Sequence, residues 1–420
     1  MDDTQEQLAI LRRRIAKIDR KYAKPAKPLR PEPEDDLRRP ARYLIDQWMS
    51  GEEVQTPLGR HFESERIWER HRRHGNMDIS HLFELPGCLL QSMSDSSVPA
   101  CPPTRWAFLD TETTGLAGGP GTYAFLIGVG RITEKGFQLR QFFMREQGEE
   151  SSLLHAISDY LSQFDVLITY NGRIYDEPLL EARYRMASRP SPFARLKHVD
   201  ILVGARRLWK LRFDSCRLVE LESQVIGFER EGDVPGELIP YLYFEYLRRR
   251  EAFRLAPVFH HNAMDILTLA CLTAIVPHAF QAPGEARLHH GAEMVGLARW
   301  LRQAERHDDA IALFRQAVDR GLSDELLFRT LWDLAVLEKK QGREPASIDI
   351  FRDLSGCRNP FRLSALEELA KFYEHRERNY DMALEMTRSA RSLEDCERLR
   401  IRESRLERRL ISRRAKSRKR

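Results

Sequence analysis

The chain has 420 residues, too many for one ordinary core and suited to two or three domains. Hydrophobic residues make up 42%, enough for packed cores rather than disorder; the formal net charge of +5 is a small excess built from many charges of both signs, so charge alone does not argue for nucleic acid. The cysteines Cys88, Cys101, Cys216, Cys271, Cys357 and Cys396 are scattered with no CxxC pair, which argues against a zinc ribbon or a disulfide scaffold and for a reducing cytoplasm.

In chain order, Leu8, Ile10, Leu11, Ile15 and Ile18 give a rough apolar stripe that predicts a short helix over residues 3–22, with charges throughout and no signal-peptide core. "KPAKPLRPEPEDDLRRP" reads as a linker, so residues 1–40 form a helix and a charged, proline-rich connection. Residues 41–100 carry no clean period and are expected to form an irregular collar on the domain that follows. From Trp106 the pattern is α/β, and this domain is taken as residues 101–282. "RWAFLD", "TYAFLIGVGRI" and "GFQLRQFFM" read as strands, with the glycine-rich "GLAGGPG" joining the first two tightly. "EESSLLHAISDYLSQF" reads as a helix with Ser151 or Ser152 as N-cap, "DVLITYNG" as a strand and "DEPLLEARYRMAS" as a helix. "HVDILVGARRLW" reads as a strand or a strand-to-helix passage, and "VFHHNAMDILTLACLTAIV" as an apolar helix. This order matches a small α/β nuclease layout with a mixed sheet, and no GxGxxG follows a strand to suggest dinucleotide binding. The longest apolar run, Ile266 to Val276, is too short to span a bilayer, so no membrane is expected.

Residues 283–396 are helical and repetitive: "LARWLRQAERHDDAIALFRQAV", "LAVLEKKQGREPASIDIFRDL" and "LAKFYEHRERNYDMALEMTRSA" align, with Ala310, Ala346 and Ala383 at a shared small position. A period near 36 is close to that of tetratricopeptide helix–turn–helix arrays, which predicts an all-α repeat domain able to take a protein partner. Residues 397–420, rich in arginine and lysine, read either as a phosphate-binding basic tail or as a charged helix with a solvated end.

Three acidic segments carry the chemistry. Asp110 and Glu112 lie two apart on an extended segment, so both side chains share a face. Bare neighbouring carboxylates repel, and hard oxygen donors favour magnesium or manganese. Asp176 follows a strand and opens a helix, five residues beyond Asn171; Asp265 is expected within the first turn or so of an apolar helix, beside His260, His261 and Asn262.

DxE, then NGxxYD, then HxxxxD, in that order, resembles the DEDD 3′–5′ exonucleases of the DnaQ-like, RNase H-fold superfamily. "GGPGTYAFLIGVG", "HVDILVGARRLWK" and "VPGELIPYLYFEYL" further resemble the YprB-like RNase H-like proteins of bacteria, as does a trailing helical-repeat region. The resemblance implies that Asp110, Glu112, Asp176 and Asp265 hold two divalent cations, Mg2+ or Mn2+, about 3.5–4 Å apart around a scissile phosphate. It implies a metal-dependent 3′–5′ exonuclease on single-stranded DNA or RNA, the competing class being a catalytically silent scaffold whose repeats recruit partners. In DEDD enzymes the general base is a histidine five residues, or a tyrosine four residues, before the last aspartate; here those positions hold His260 and His261. On a regular helix His261 shares a face with Asp265, whereas a helix starting at Asn262 would leave either histidine in a loop. Thr113, Thr114, Tyr170 and Asn171 are candidate substrate contacts, each with a turn-forming alternative, and Asp200 is a candidate for orienting a ligand or for a purely structural role.

Overall fold

A computed structural model describes Ile45 and residues 48–93, 98–115 and 121–417. The helix expected over residues 3–22, the proline-rich linker and most of "GLAGGPG" lie outside the described residues. The chain divides into two compact units, Met1–Arg206 with Ser215–Ala282, and Arg207–Asp214 with Pro283–Arg420.

The first unit is built on β1 (Glu52–Thr56), β2 (Gly59–Glu69), the small pair β3 (Arg73–His74) and β4 (Met77–Asp78), then β5 (Trp106–Thr113), β6 (Ala124–Thr133), β7 (Gly136–Phe143), β8 (Val166–Thr169) and β9 (Lys197–Asp200). Seven strands form one mixed sheet in the order β1-β2-β7-β6-β5-β8-β9. β5, β6 and β7 are an antiparallel meander, while β8 and β9 join the other side of β5 in parallel. Parallel neighbours need crossovers; helices α1 (Glu150–Leu161) and α2 (Asp176–Met186) precede β8 and β9. β5, β6 and β8 read as nearly continuous apolar runs because both faces are covered.

The collar expectation for residues 41–100 is corrected at residues 52–69, which extend the sheet: β2 pairs with β7 from Phe62↔Phe143 to Glu69↔Gly136. Its period is hidden because His61, Glu63 and Ser64 are buried alongside Phe62. His61 Nε2 donates to Glu63 at 2.8 Å, and its Nδ1 lies 2.8 Å from Ser152 Oγ. Ser151 and Ser152 are therefore not N-caps; both lie inside α1, and Ser152 ties the helix to β2.

Four further helices complete this part of the chain: α3 (Ile201–Trp209), the short α4 (Leu218–Leu221) running into one π turn (Glu222–Ile226), α5 (Ile239–Arg249) and α6 (Ala256–Gln281). α6 lies across β5, β6 and β7. It begins at Ala256 with Pro257 in its first turn, where a missing N–H costs nothing. Asp265 thus sits in the third turn rather than the first, and both histidines are helical. Ala252–Gln281 is, by length and composition, long and apolar enough to cross a membrane, but 78% of its apolar window is buried inside the fold.

Beyond Arg207–Asp214, the second unit is built on α7 (Gly291–Gln303), α8 (His307–Arg320), α9 (Asp324–Lys340), α10 (Glu344–Gly356), α11 (Arg362–His375), α12 (Tyr380–Leu393) and α13 (Glu397–Ser417), each packed on the next. Ala310 and Ala383 are fully buried, but Ala346 is half-exposed; Ser347 fills that position in the middle pair, its Oγ donating to Ala335 O at 2.9 Å. Of the two readings of residues 397–420, the charged helix is the one seen, running to Ser417: Leu399 and Leu406 are buried, and Arg405 and Arg409 grip the buried Glu374.

Candidate active site

β5 lies between an antiparallel neighbour and a parallel one. Its pairing with β8 ends at Phe108↔Ile168, so beyond that point the two strands part and a cleft opens. Asp110, Thr111, Glu112, Thr113, Tyr170 and Asp176 lie along this cleft of about 490 Å³. Asp110 pairs with Gly128 and Glu112 with Leu126, so strand alternation places both carboxylates on one face.

Asp176 arrives by a tightly held turn. Asn171 adopts a left-handed φ of 67°, and Asp200 accepts the N–H of Asn171 at 2.8 Å and of Leu202 at 3.1 Å. Asp200 therefore shapes the turn and caps α3. Thr111 Oγ1 donates to Asp176 Oδ1. His198 joins Thr169 to Glu177, fastening the first turn of α2 to the sheet.

The other wall is α6. Gly128 permits its close approach, since a Cβ there would lie 2.3 Å from both Asn262 Oδ1 and Ile266 Cδ1. Asn262 Nδ2 donates to Asp110 Oδ2 at 2.8 Å, while Gln141 on β7 orients the amide by donating to Asn262 Oδ1 at 2.9 Å. His261 and Asp265 share a helix face, with Nε2 3.6 Å from Oδ2. His261 Nδ1 donates to Asp233 at 2.8 Å, and Arg230 spans Glu222, Asp233 and Asp265. His260 is half-buried; burial, then the charge of Arg66, pushes its pKa below the ordinary value.

Burial, reinforced by Asp265, Glu112 and Asp176, pushes Asp110 well above the usual carboxylate range. Burial likewise raises Glu112 to about 8, despite the opposing charge of His261, and Asp176 to about 6, despite the Thr111 hydroxyl. Burial disfavours a charged His261, but Asp265, Asp233 and Glu112 outweigh it and lift the imidazole to about 9. These shifts mark excess negative charge gathered in one place.

Among the described residues, no group of three His, Cys, Asp or Glu side chains stands ready to hold a metal ion. The donor set still fits a hard divalent cation in kind: Asp110, Glu112 and Asp176 offer oxygens on one cleft, and their mutual repulsion is what a cation relieves. Among the candidate substrate contacts, Thr113 Oγ1 donates to Gly115 O and Thr114 Oγ1 accepts from Tyr123 N, so both hydroxyls shape the turn. Tyr170 faces the cleft, but its hydroxyl donates to Cys216 O. Asn171 lies on the cleft wall.

Arg230, Asp233 and Gln141 were not legible as site residues. Asp233 lies in an irregular loop 28 positions from His261, and only tertiary structure joins them.

A mixed sheet with an acidic cleft where β5 and β8 part defines an RNase H-like protein, and the RNase_H superfamily model matches residues 107–276. Over 315 residues the chain is 33% identical to the uncharacterized protein YprB of Bacillus subtilis (strain 168), covering 73% of this chain and 75% of that protein. The chain belongs to the YprB family within that superfamily.

Proposed function

We propose that the chain is a metal-dependent nuclease acting in the 3′–5′ exonucleolytic direction on single-stranded DNA or RNA. The observation that carries this reading is the burial of Asp110, Glu112 and Asp176 along one open cleft, with all three carboxyls pushed towards their protonated forms. A scaffold has no use for such mutual repulsion. Asp110, Glu112 and Asp176 would hold Mg2+ or Mn2+, with Asp265 the remaining acid of the set. Bound there, divalent cations supply an activated water and charge stabilisation for the leaving 3′ oxygen. Asn262 fixes the orientation of Asp110, and Thr111 that of Asp176. Of the two histidines, His261 is the better placed to act on the water: Asp233 holds its Nδ1, and its Nε2 lies 3.6 Å from Asp265 Oδ2, beside the acid set. Tyr170 and Asn171, on the cleft wall, would contact the nucleotide chain.

The helical unit supports a tetratricopeptide-like reading for residues 283–396, with α13 covering the last pair and the helix surfaces available to a protein partner. The decisive experiment is cleavage of end-labelled single-stranded DNA and RNA with Mg2+ or Mn2+, comparing the full chain with Asp110→Ala. A ladder receding from the 3′ end and absent in the variant is expected. Internal cuts lost in the variant would make the enzyme an endonuclease, and no cleavage by folded protein would favour the silent scaffold.

A further inference from the structure

The helical unit carries a knot of positive charge that its own packing does not use up. Arg299 and Arg302, three positions apart on one face of α7, and Arg329 on α9 converge on a single carboxylate, Asp333. Arg302 Nη1 lies 3.1 Å from Asp333 Oδ1, while Arg299 Nε and Arg329 Nε each lie 3.5 Å from Oδ2. The Asp333 side chain is 7% exposed, whereas those of Arg299, Arg302 and Arg329 are 27%, 32% and 55% exposed. All four line a cleft of about 510 Å³ whose apolar wall is Pro360 and Phe361, just before α11. Glu325, at the exposed rim, is the other acid on the cleft, so cations outnumber anions there by three to two.

An arginine with a purely structural job in this unit is held differently. Arg405 bonds Glu374 through Nε at 2.9 Å and Nη2 at 2.8 Å, a settled two-point pair. At Asp333 three cations share one acid, and its buried Oδ2 has no hydrogen-bond partner. Burial lowers the Arg299 pKa from its ordinary value; Asp333 opposes this, and the charges of Arg329 and Arg302 reinforce it. An arriving carboxylate would give these guanidiniums the two-point bonding that Asp333 does not supply to all three. Beside them, Phe361 stacks on Trp332 with ring centroids 5.6 Å apart and planes at 13°, and the Arg329 guanidinium lies 5.8 Å from the Phe361 centroid. The ligand that fits has an acid group next to an apolar one.

We propose that this cleft is the docking site for an acidic peptide segment of a protein partner, with an Asp or Glu carboxylate on Arg299, Arg302 and Arg329 and an adjoining apolar side chain against Phe361. Convergence favours a peptide over nucleic acid. A single strand is tracked by cations strung along a groove between successive aromatic platforms. Here the cations meet at one point, and Phe361 already has a face against Trp332. A peptide also brings backbone N–H donors for Glu325, where a phosphodiester chain brings only more negative charge. The inference rests on the reading of the helical unit as partner-binding and is independent of the metal centre.

The test is fluorescence anisotropy of the full chain, in EDTA at low salt, with three labelled probes. These are a pool of short peptides alternating Asp or Glu with Leu or Phe, the same pool with Asn or Gln in place of the acids, and single-stranded oligothymidylate. Wild type is expected to bind the acidic pool and not the amide pool. Arg302→Ala is expected to weaken that binding by at least about tenfold, as loss of a charged anchor does. Asp333→Asn is expected to tighten it by at least about threefold, because the guanidiniums lose a competing acid; an Asp333 with only a structural role gives no such gain. Should Asp333→Asn fail to fold, Arg302→Ala and the amide pool decide the matter. Acidic and amide pools bound alike, or acidic peptides bound equally by wild type and by the Arg302→Ala, Arg329→Ala double variant, would overturn the inference while leaving the helical unit a partner-binding one. Oligothymidylate held by these arginines in place of the peptides would overturn it in favour of nucleic acid. No binding of any probe by folded wild type would overturn the inference together with the partner-binding reading beneath it.

Discussion

Glu222 and Arg230 show at single-residue scale how much of this site is maintained from behind. Burial alone would raise Glu222, but His74, Arg230 and Thr268 together hold it below its ordinary value of 4.5. A carboxyl depressed on folding stabilises above its unfolded pKa and loses that contribution as pH falls through the folded value. Wild-type stability should therefore decline as pH drops below about 4.5, and Glu222→Gln should flatten that decline. At pH 7 the same substitution should cost about 3–5 kcal/mol in a denaturant melt, because Arg230 loses a buried partner. The acids at 110, 112, 176 and 265 were recognisable from their motifs. Asp233 and Arg230 were not, since no periodicity or spacing links a loop acid to a histidine on another element.

At the scale of elements, the approach of α6 to β6 decides whether Asn262 can reach Asp110. Gly128→Ala would place a methyl 2.3 Å from Asn262 Oδ1 and Ile266 Cδ1. The helix must then move off the sheet. We expect a loss of about 1–3 kcal/mol in thermal or denaturant unfolding, typical of overpacking, together with weaker Mn2+ binding than wild type. β5 and β6 were legible as nearly continuous apolar runs, and β7 by its alternation from Phe137 to Arg140. β1 and β2 were not, because β2 buries His61, Glu63 and Ser64, with His61 bonded to Glu63 and to Ser152 of α1, and so breaks the expected alternation. The start of α6 was ambiguous because Pro257 and the histidine pair mask a helical first turn.

At the scale of the whole molecule, each unit has its own buried core, one around the sheet and one among α9 to α13. A ligand that binds only the folded first unit should stabilise the chain by mass action. With Mn2+ at about 100 times its dissociation constant, wild type should gain about 2.7 kcal/mol, seen as a higher melting temperature in scanning calorimetry. Asp176→Asn should show a much smaller shift at the same concentration. Equal shifts in both proteins would place the ion elsewhere.

The order of apolar runs determined the fold class, since strand and helix periods are local properties of a chain, and the repeated Leu-Ala pattern determined the helical unit. Asp110, Glu112 and Asp176 line the cleft because strand alternation and a helix start, both local features, set where they lie. Only the tertiary structure decided that Ser347 rather than Ala346 packs in the middle helix pair, that β1 and β2 belong to the sheet, and that Asp265 is paired with Arg230. Those outcomes depend on which distant surfaces meet in three dimensions, and a buried ion pair leaves no periodic trace in either of the segments that form it.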